Sequence, residues 1–127
     1  MNSLSTLLAE LVALLENCGF CENIRIVETA FFSATQFSCK IRATIFAALT
    51  LQIRLYYNHP HWDYAYQVFD EEPLCRWDNK EHFPHLSSHP HHCHTREGEV
   101  VESPLRGDPR KDLNLVLHEL KQLFSGK

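Results

Sequence analysis

The sequence lacks the features that would place it in a membrane or outside the cell. No apolar run approaches the roughly 18 residues that cross a bilayer. No basic region precedes the first apolar stretch, as it would in a signal peptide. The five cysteines are odd in number, which argues against a disulfide framework and is typical of a reducing compartment. We therefore expect a cytoplasmic protein without a membrane partner.

An excess of positive charge is also missing. Lysine and arginine number 12 against 16 acidic residues, and the formal net charge is −4. This balance excludes a protein that coats nucleic acid indiscriminately, although it permits a local basic patch. The apolar fraction of 44% is that of a globular protein. The length predicts one domain over residues 1–127.

An amphipathic helix is predicted at the start of the chain. Leucines recur at helical spacing from Leu4 to Leu15 and form one apolar stripe. Asn2 or Ser3 can cap this helix, and Gly19 can end it. The stripe predicts that the helix packs on a sheet.

Residues 23–78 carry the alternating pattern of strands. The alternation is clearest from Phe37 to Ile45 and returns from Leu51 to Leu55. The turn signals between the strands are short, which predicts an antiparallel meander of five strands. A second amphipathic helix begins at Asp108 and ends at Ser125-Gly126. The predicted fold is therefore α+β, a mostly antiparallel five-stranded sheet with both helices packed on one face.

The polar face of this sheet is a candidate surface for single-stranded RNA. Cations on such a face meet phosphates, and aromatic rings stack on bases. An ordinary solvated face of a one-sided sheet would give the same alternation. The candidate RNA-binding residues are Lys40, Arg42, Arg54, Tyr64 and Tyr66.

A polar stretch from Arg76 to His94 contains six of the nine histidines. It has no apolar period, and its two prolines exclude a continuous helix or strand. Long polar loops of small domains are usually functional or disordered. Imidazoles serve as proton shuttles, metal ligands and phosphate partners. The rest of the chain is therefore interpreted as a scaffold for this loop.

Proton chemistry on RNA is one hypothesis for the loop. A metal-independent ribonuclease needs a base for the 2′-hydroxyl, an acid for the leaving 5′-oxygen and a cation for the charged phosphorane. Arg76 is the candidate cation, and Asp78 can orient an imidazole by accepting its second N–H. The candidate acid and base residues are His91, His92 and His94.

Two other hypotheses remain open. The first is zinc binding by His91, His92, His94 and Cys93, although the usual spacing of structural zinc sites is absent. The second is a structural role in which the histidines bond loop carbonyls. Proton chemistry requires no cofactor, so zinc belongs only to the alternative, a partner-binding protein with an ordered histidine loop.

The same stretch resembles a known protein family. Arg76-Trp77-Asp78-Asn79 and Pro90-His91-His92 followed by His94 are similar to the signature of the TumE-like proteins, as are His82, Pro84 and Leu86 between them. The likeness covers the second half of the chain well and the first half only in layout.

The resemblance implies a cytoplasmic toxin of a type II toxin–antitoxin module, neutralised by an antitoxin encoded in the same operon. It supplies no catalytic assignment. Four positions depart from the family pattern. In particular, the family has a lysine where this chain has Cys93, and the loss of that lysine removes a phosphate contact. The other three departures are Glu81, Phe83 and His89. An RNA substrate is inferred from the histidines and the basic face, and the sequence does not specify an oligomeric state.

Overall fold

The computed structural model describes residues 3–124. In sequence order, the first and last elements are helices, and all the strands lie between them. Neither helix of this range is long and apolar enough to cross a membrane. The elements are α1 (Leu4–Asn17), β1 (Cys21–Ser33), β2 (Gln36–Ile45), β3 (Leu49–Asn58), β4 (His61–Phe69), β5 (Pro73–Asp78), β6 (His92–His94), β7 (Val100–Glu102) and α2 (Pro109–Phe124).

The strands form one sheet in which every strand pairs antiparallel with the next along the chain. The α+β class and the meander are confirmed, but the sheet has seven strands rather than the predicted five. The two additional strands each have three residues. Such short segments show no detectable period, so the alternation used to predict strands could not reveal them.

Both predicted helices are present, with the predicted local signals. The Ser3 hydroxyl accepts a hydrogen bond from the Thr6 amide and caps α1, and Gly19 follows the helix with a φ of 92°. The Asp108 carboxylate accepts from the Arg110 amide at the start of α2. Two of the predicted boundary signals, Asn2 and the pair Ser125-Gly126, lie outside the described residues.

One continuous core lies between the helices and a single face of the sheet. Leu7, Leu11 and Leu15 of α1 are fully buried in it. Strand β2 alternates strictly between buried and half-buried positions, as expected for a sheet with one covered face. The opposite face is therefore left to polar side chains, and it carries the candidate site.

Strand β1 forms one edge of the sheet, and the helices leave part of it uncovered. Ile26, Val27, Phe31 and Phe32 are exposed, and the two phenylalanines are about two-thirds exposed. Three register shifts interrupt the pairing of β1 with β2. Bulges of this kind reduce the tendency of an edge strand to pair with another chain.

Candidate functional site

Strands β5 and β6 bring four of the predicted site residues together. Asp78 lies opposite His92, and Arg76 lies opposite His94. Directly paired residues of antiparallel strands project from the same face of the sheet. The intervening Trp77 packs in the core instead. The four side chains therefore form a cluster, called here the Asp–His cluster, on the polar face.

The Asp78 carboxylate is the centre of this cluster and is 1% exposed. Its Oδ1 lies 3.0 Å from Nε2 of His92 and also accepts from the Lys80 amide at 3.0 Å. Its Oδ2 lies 2.8 Å from Nε of Arg76 and 3.6 Å from Nε2 of His94. The Arg76 N–H is not aligned with Oδ2, so within residues 3–124 neither atom has a hydrogen-bond partner and the contact is ionic.

The tautomer of each imidazole follows from its fixed partners. Nδ1 of His92 lies 3.1 Å from the Pro90 carbonyl, which only accepts, so Nδ1 carries a proton. Nη2 of Arg76 lies 3.2 Å from Nε2 of His94, and a guanidinium only donates, so this Nε2 is an acceptor. Nε2 of His92 contacts both the Asp78 carboxylate and Nε2 of His94, at 3.0 and 3.1 Å. Because Nδ1 of His92 already carries a proton, a second proton on its Nε2 would make the ring an imidazolium beside the Asp78 carboxylate.

His92 and His94 differ in their access to solvent. The His92 side chain is 2% exposed, whereas that of His94 is 29% exposed. The Phe83 ring contacts both imidazoles edge-on and covers His92, with ring centroids 4.7 Å apart. Burial, and secondly the Arg76 charge, lower the pKa of His94. His94 is thus a neutral and accessible base, and His92 can act only through its neighbours.

His91 does not join the Asp–His cluster, contrary to the sequence prediction. Its Nδ1 lies 2.7 Å from the Tyr64 hydroxyl, and the two rings stack. Tyr64 projects from the core face, so His91 lies on the other side of the sheet. Burial lowers the pKa of His91, which keeps the ring neutral and able to accept from the hydroxyl. Neighbouring residues of an extended chain project to opposite sides, so His91 and His92 cannot exchange protons.

The three predicted basic residues all lie on the polar face. Lys40 is opposite Arg54, and Lys40 also forms an ion pair with Glu28 at 3.7 Å. Arg42 donates from Nε to Gln52 at 2.8 Å and lies over the Phe69 ring. Arg54 is exposed. The cations therefore lie on the same face as the Asp–His cluster, as an RNA-binding surface requires.

The placement of Tyr64 and Tyr66 on this face was wrong. Both are buried, at 5% and 1% exposure, opposite the core residues Leu55 and Ile53. Their neighbours Asp63 and Gln67 project from the polar face. The alternation of these polar residues with Tyr64, Tyr66 and Val68 is the signal that assigns the faces, because tyrosine occurs on both faces of sheets and its residue type alone does not.

A recess of about 150 Å³ adjoins the Asp–His cluster. Arg54, Arg76 and Lys80 line it together with Asp78, Ala65 and two glutamines of the neighbouring strands. We call it the cationic recess. Three cationic side chains around one small space suit an anion such as a phosphate. Sequence reasoning missed Lys80, because its position after the strand carries no pattern that predicts its direction.

The Asp–His cluster also has the spacing of a metal site. Asp78, His92 and His94 each offer a ligand atom, and these atoms lie within 4.8 Å of one another. However, Arg76 contacts Oδ2 of Asp78 and Nε2 of His94. A dication at these atoms would face a guanidinium at contact distance and be repelled by it. A metal ion at these atoms therefore requires Arg76 to move away.

The comparisons with known proteins give the family of the chain. No curated protein and no solved structure shows significant similarity to the chain. A family model described as Toxin TumE matches residues 11–124, which include the second half of α1, the whole sheet, the Asp–His cluster and α2. The match extends the resemblance of the second half to most of the chain, and the chain therefore belongs to the Toxin TumE family.

Proposed function

We propose that this member of a toxin family inhibits growth by cleaving RNA without a metal ion, at the Asp–His cluster. The observation that supports it best is that an accessible imidazole, a guanidinium and a cationic recess lie side by side on one sheet face. These are the parts that phosphodiester transfer needs: a base, a charge to stabilise the phosphorane and a place for the phosphate.

In this proposal the substrate phosphate replaces His94 as the partner of Arg76, and the Nε2 lone pair of His94 that this frees takes the proton of the 2′-hydroxyl. The 2′-oxygen attacks phosphorus, the bond from phosphorus to the 5′-oxygen breaks, and a 2′,3′-cyclic phosphate forms. Arg76 and Lys80 hold the phosphate in the cationic recess, and Lys80 gives the leaving 5′-oxygen its proton. His92 and Asp78 are positioning residues, because both are buried and act through their contacts with His94 and Arg76.

The strand would lie across the polar face, where Lys40, Arg42 and Arg54 offer contacts to successive phosphates. Such a toxin acts in the cytoplasm, where its substrate is found. Its partner is an antitoxin encoded in the same operon, as its membership of a toxin family suggests.

The test is incubation of the purified protein with total cellular RNA, with and without EDTA, beside His94→Ala and His91→Ala. Both variants lose one imidazole, but only His94 lies in the cluster. Cleavage that survives EDTA, disappears in His94→Ala and persists in His91→Ala is the expected result, with cyclic phosphate ends on the products. Cleavage that EDTA abolishes, or no cleavage by a protein that is still toxic, would contradict the proposal.

One observation favours a second candidate. The ligand spacing of Asp78, His92 and His94 fits a binding protein whose histidine loop is ordered by zinc. This candidate predicts stoichiometric zinc in the purified protein and a loss of thermal stability on chelation. It also predicts that the isolated protein leaves RNA intact.

A further inference from the structure

A second cavity, of about 450 Å³, opens on the polar face beside the cationic recess. Arg54 and Lys80 line both spaces, so a ligand could extend from one into the other. The volume is in the range of small-molecule sites. We call this space the tyrosine cavity, because Tyr56 is the only aromatic side chain of its lining that projects from the polar face.

The Tyr56 ring is held in place by its surroundings. Tyr56 lies on β3 between Ser38 and Asp63 of the neighbouring strands. Its hydroxyl accepts a hydrogen bond from Nε2 of Gln36 at 2.7 Å. The phenolic ring is thus a fixed flat surface at the cavity. Rings in this setting stack on nucleobases.

The charge in the tyrosine cavity differs from that in the recess. Asp63 and Glu28 are exposed carboxylates of its lining, and Glu28 is already paired with Lys40. A carboxylate repels a phosphate but accepts hydrogen bonds from the amino groups of bases. The two adjoining spaces are therefore complementary to the two parts of a nucleotide.

We propose that the tyrosine cavity binds the base of the nucleotide whose phosphate occupies the cationic recess, an inference that rests on the proposed action on RNA. The base stacks on Tyr56, and Asp63 accepts from its exocyclic amino group. Guanine binds best, because its ring N–H and amino group can donate to one carboxylate together. Uracil binds worst, because it has no amino group and presents carbonyl oxygens to Asp63.

The experiment is calorimetric titration of the full chain with the four nucleoside 3′-monophosphates and with inorganic phosphate. The expected order of affinity begins with the guanine nucleotide and ends with the uracil nucleotide, and every nucleotide binds more tightly than phosphate. Tyr56→Ala should weaken nucleotide binding about tenfold, while Tyr56→Phe keeps the ring and most of the affinity. Asp63→Asn should reduce the preference for guanine over uracil.

Phe31→Ala is the matched control, because it removes an exposed ring of the edge strand that is not part of the cavity lining. Circular dichroism of each variant establishes that the fold is intact. Nucleotides that bind no more tightly than phosphate, or a Tyr56→Ala variant with unchanged affinity, would overturn the inference. If RNA cleavage by the wild type still depends on His94, the proposed function survives that result. If the wild type does not cleave RNA but the nucleotide series behaves as expected, only the proposed function fails.

Discussion

The Nε2 atoms of His92 and His94 lie 3.1 Å apart, and the Asp78 carboxylate contacts both rings. One imidazole of this pair is buried, and the other reaches solvent. Proton uptake at the surface is thereby coupled to a buried carboxylate. In the proposed function His94 therefore acts as the base, and His92 orients the His94 ring.

The pH dependence of RNA cleavage should reflect the lowered pKa of His94. Its burial and the Arg76 charge hold this pKa below the usual value of about 6.5, so the base stays deprotonated at neutral pH. We expect the cleavage rate to be constant around neutral pH and to fall in acid solution, below about pH 6.5, as His94 becomes protonated. In Arg76→Gln the acid limb should move to higher pH, because the repelling charge is gone. An acid limb that does not move would contradict the pairing of Arg76 with His94.

Removal of the Asp78 carboxylate should destabilise the fold as well as abolish toxicity. Asp78→Ala removes the buried acceptor of the Lys80 amide and the carboxylate that contacts His92 and the partly exposed Arg76. We expect the free energy of unfolding to fall by about 2 kcal/mol, as measured by urea denaturation. Glu97→Ala, which removes an exposed carboxylate from a turn, is the control. Equal stability of the two variants would show that Asp78 is not bonded as described.

His91 and His92 are neighbours in sequence, but they should respond differently to mutation. His92→Ala should reduce cleavage by about 10²-fold or more, because the orientation of His94 is lost. His91→Ala should keep cleavage and lose about 1 kcal/mol of stability with the Tyr64 hydrogen bond. Growth inhibition in cells and thermal unfolding distinguish the two effects. Equal loss of toxicity in both variants would contradict the placement of His91 and His92 on opposite sides of the sheet.

The lowered pKa of His91 also makes stability depend on pH. The unfolded chain takes up a proton at the ordinary value of about 6.5, whereas the folded ring takes it up at lower pH. Stability should therefore fall as the pH drops from about 6.5 through the folded pKa. His91→Gln should show a smaller fall over this window, as followed by the melting temperature. The difference between the two proteins gives the contribution of His91.

The salt dependence of RNA binding should report the contacts of the polar face. Each phosphate contact to a single strand contributes about 0.7 to the slope of log affinity against log salt. Arg54→Gln should reduce the slope by about 0.7, whereas Lys111→Gln on the exposed part of α2 should leave it unchanged. An unaltered slope in Arg54→Gln would remove this arginine from the RNA-binding surface.

Periodic segments were predictable from the sequence, and non-periodic ones were not. The two helices and strands β2 to β5 follow apolar rows that the sequence displays openly. Strand β6 has three residues, none of which is aliphatic, so its pairing with β5 depends on tertiary contacts. The candidate site was therefore found by residue type. Its faces, and with them the separation of His91 from His92, became clear only from the strand register.

The neighbour-to-neighbour order of the sheet has a consequence for a growing chain. Strands β1 to β4 can pair as soon as they leave the ribosome, because each needs only its predecessor. The Asp–His cluster, by contrast, needs β6, which is synthesised 14 residues after β5 ends. A nascent chain would thus expose Lys40, Arg42 and Arg54 on the polar face before His94, the proposed catalytic base, is in place. We therefore expect the nascent chain to bind RNA before it can cleave RNA.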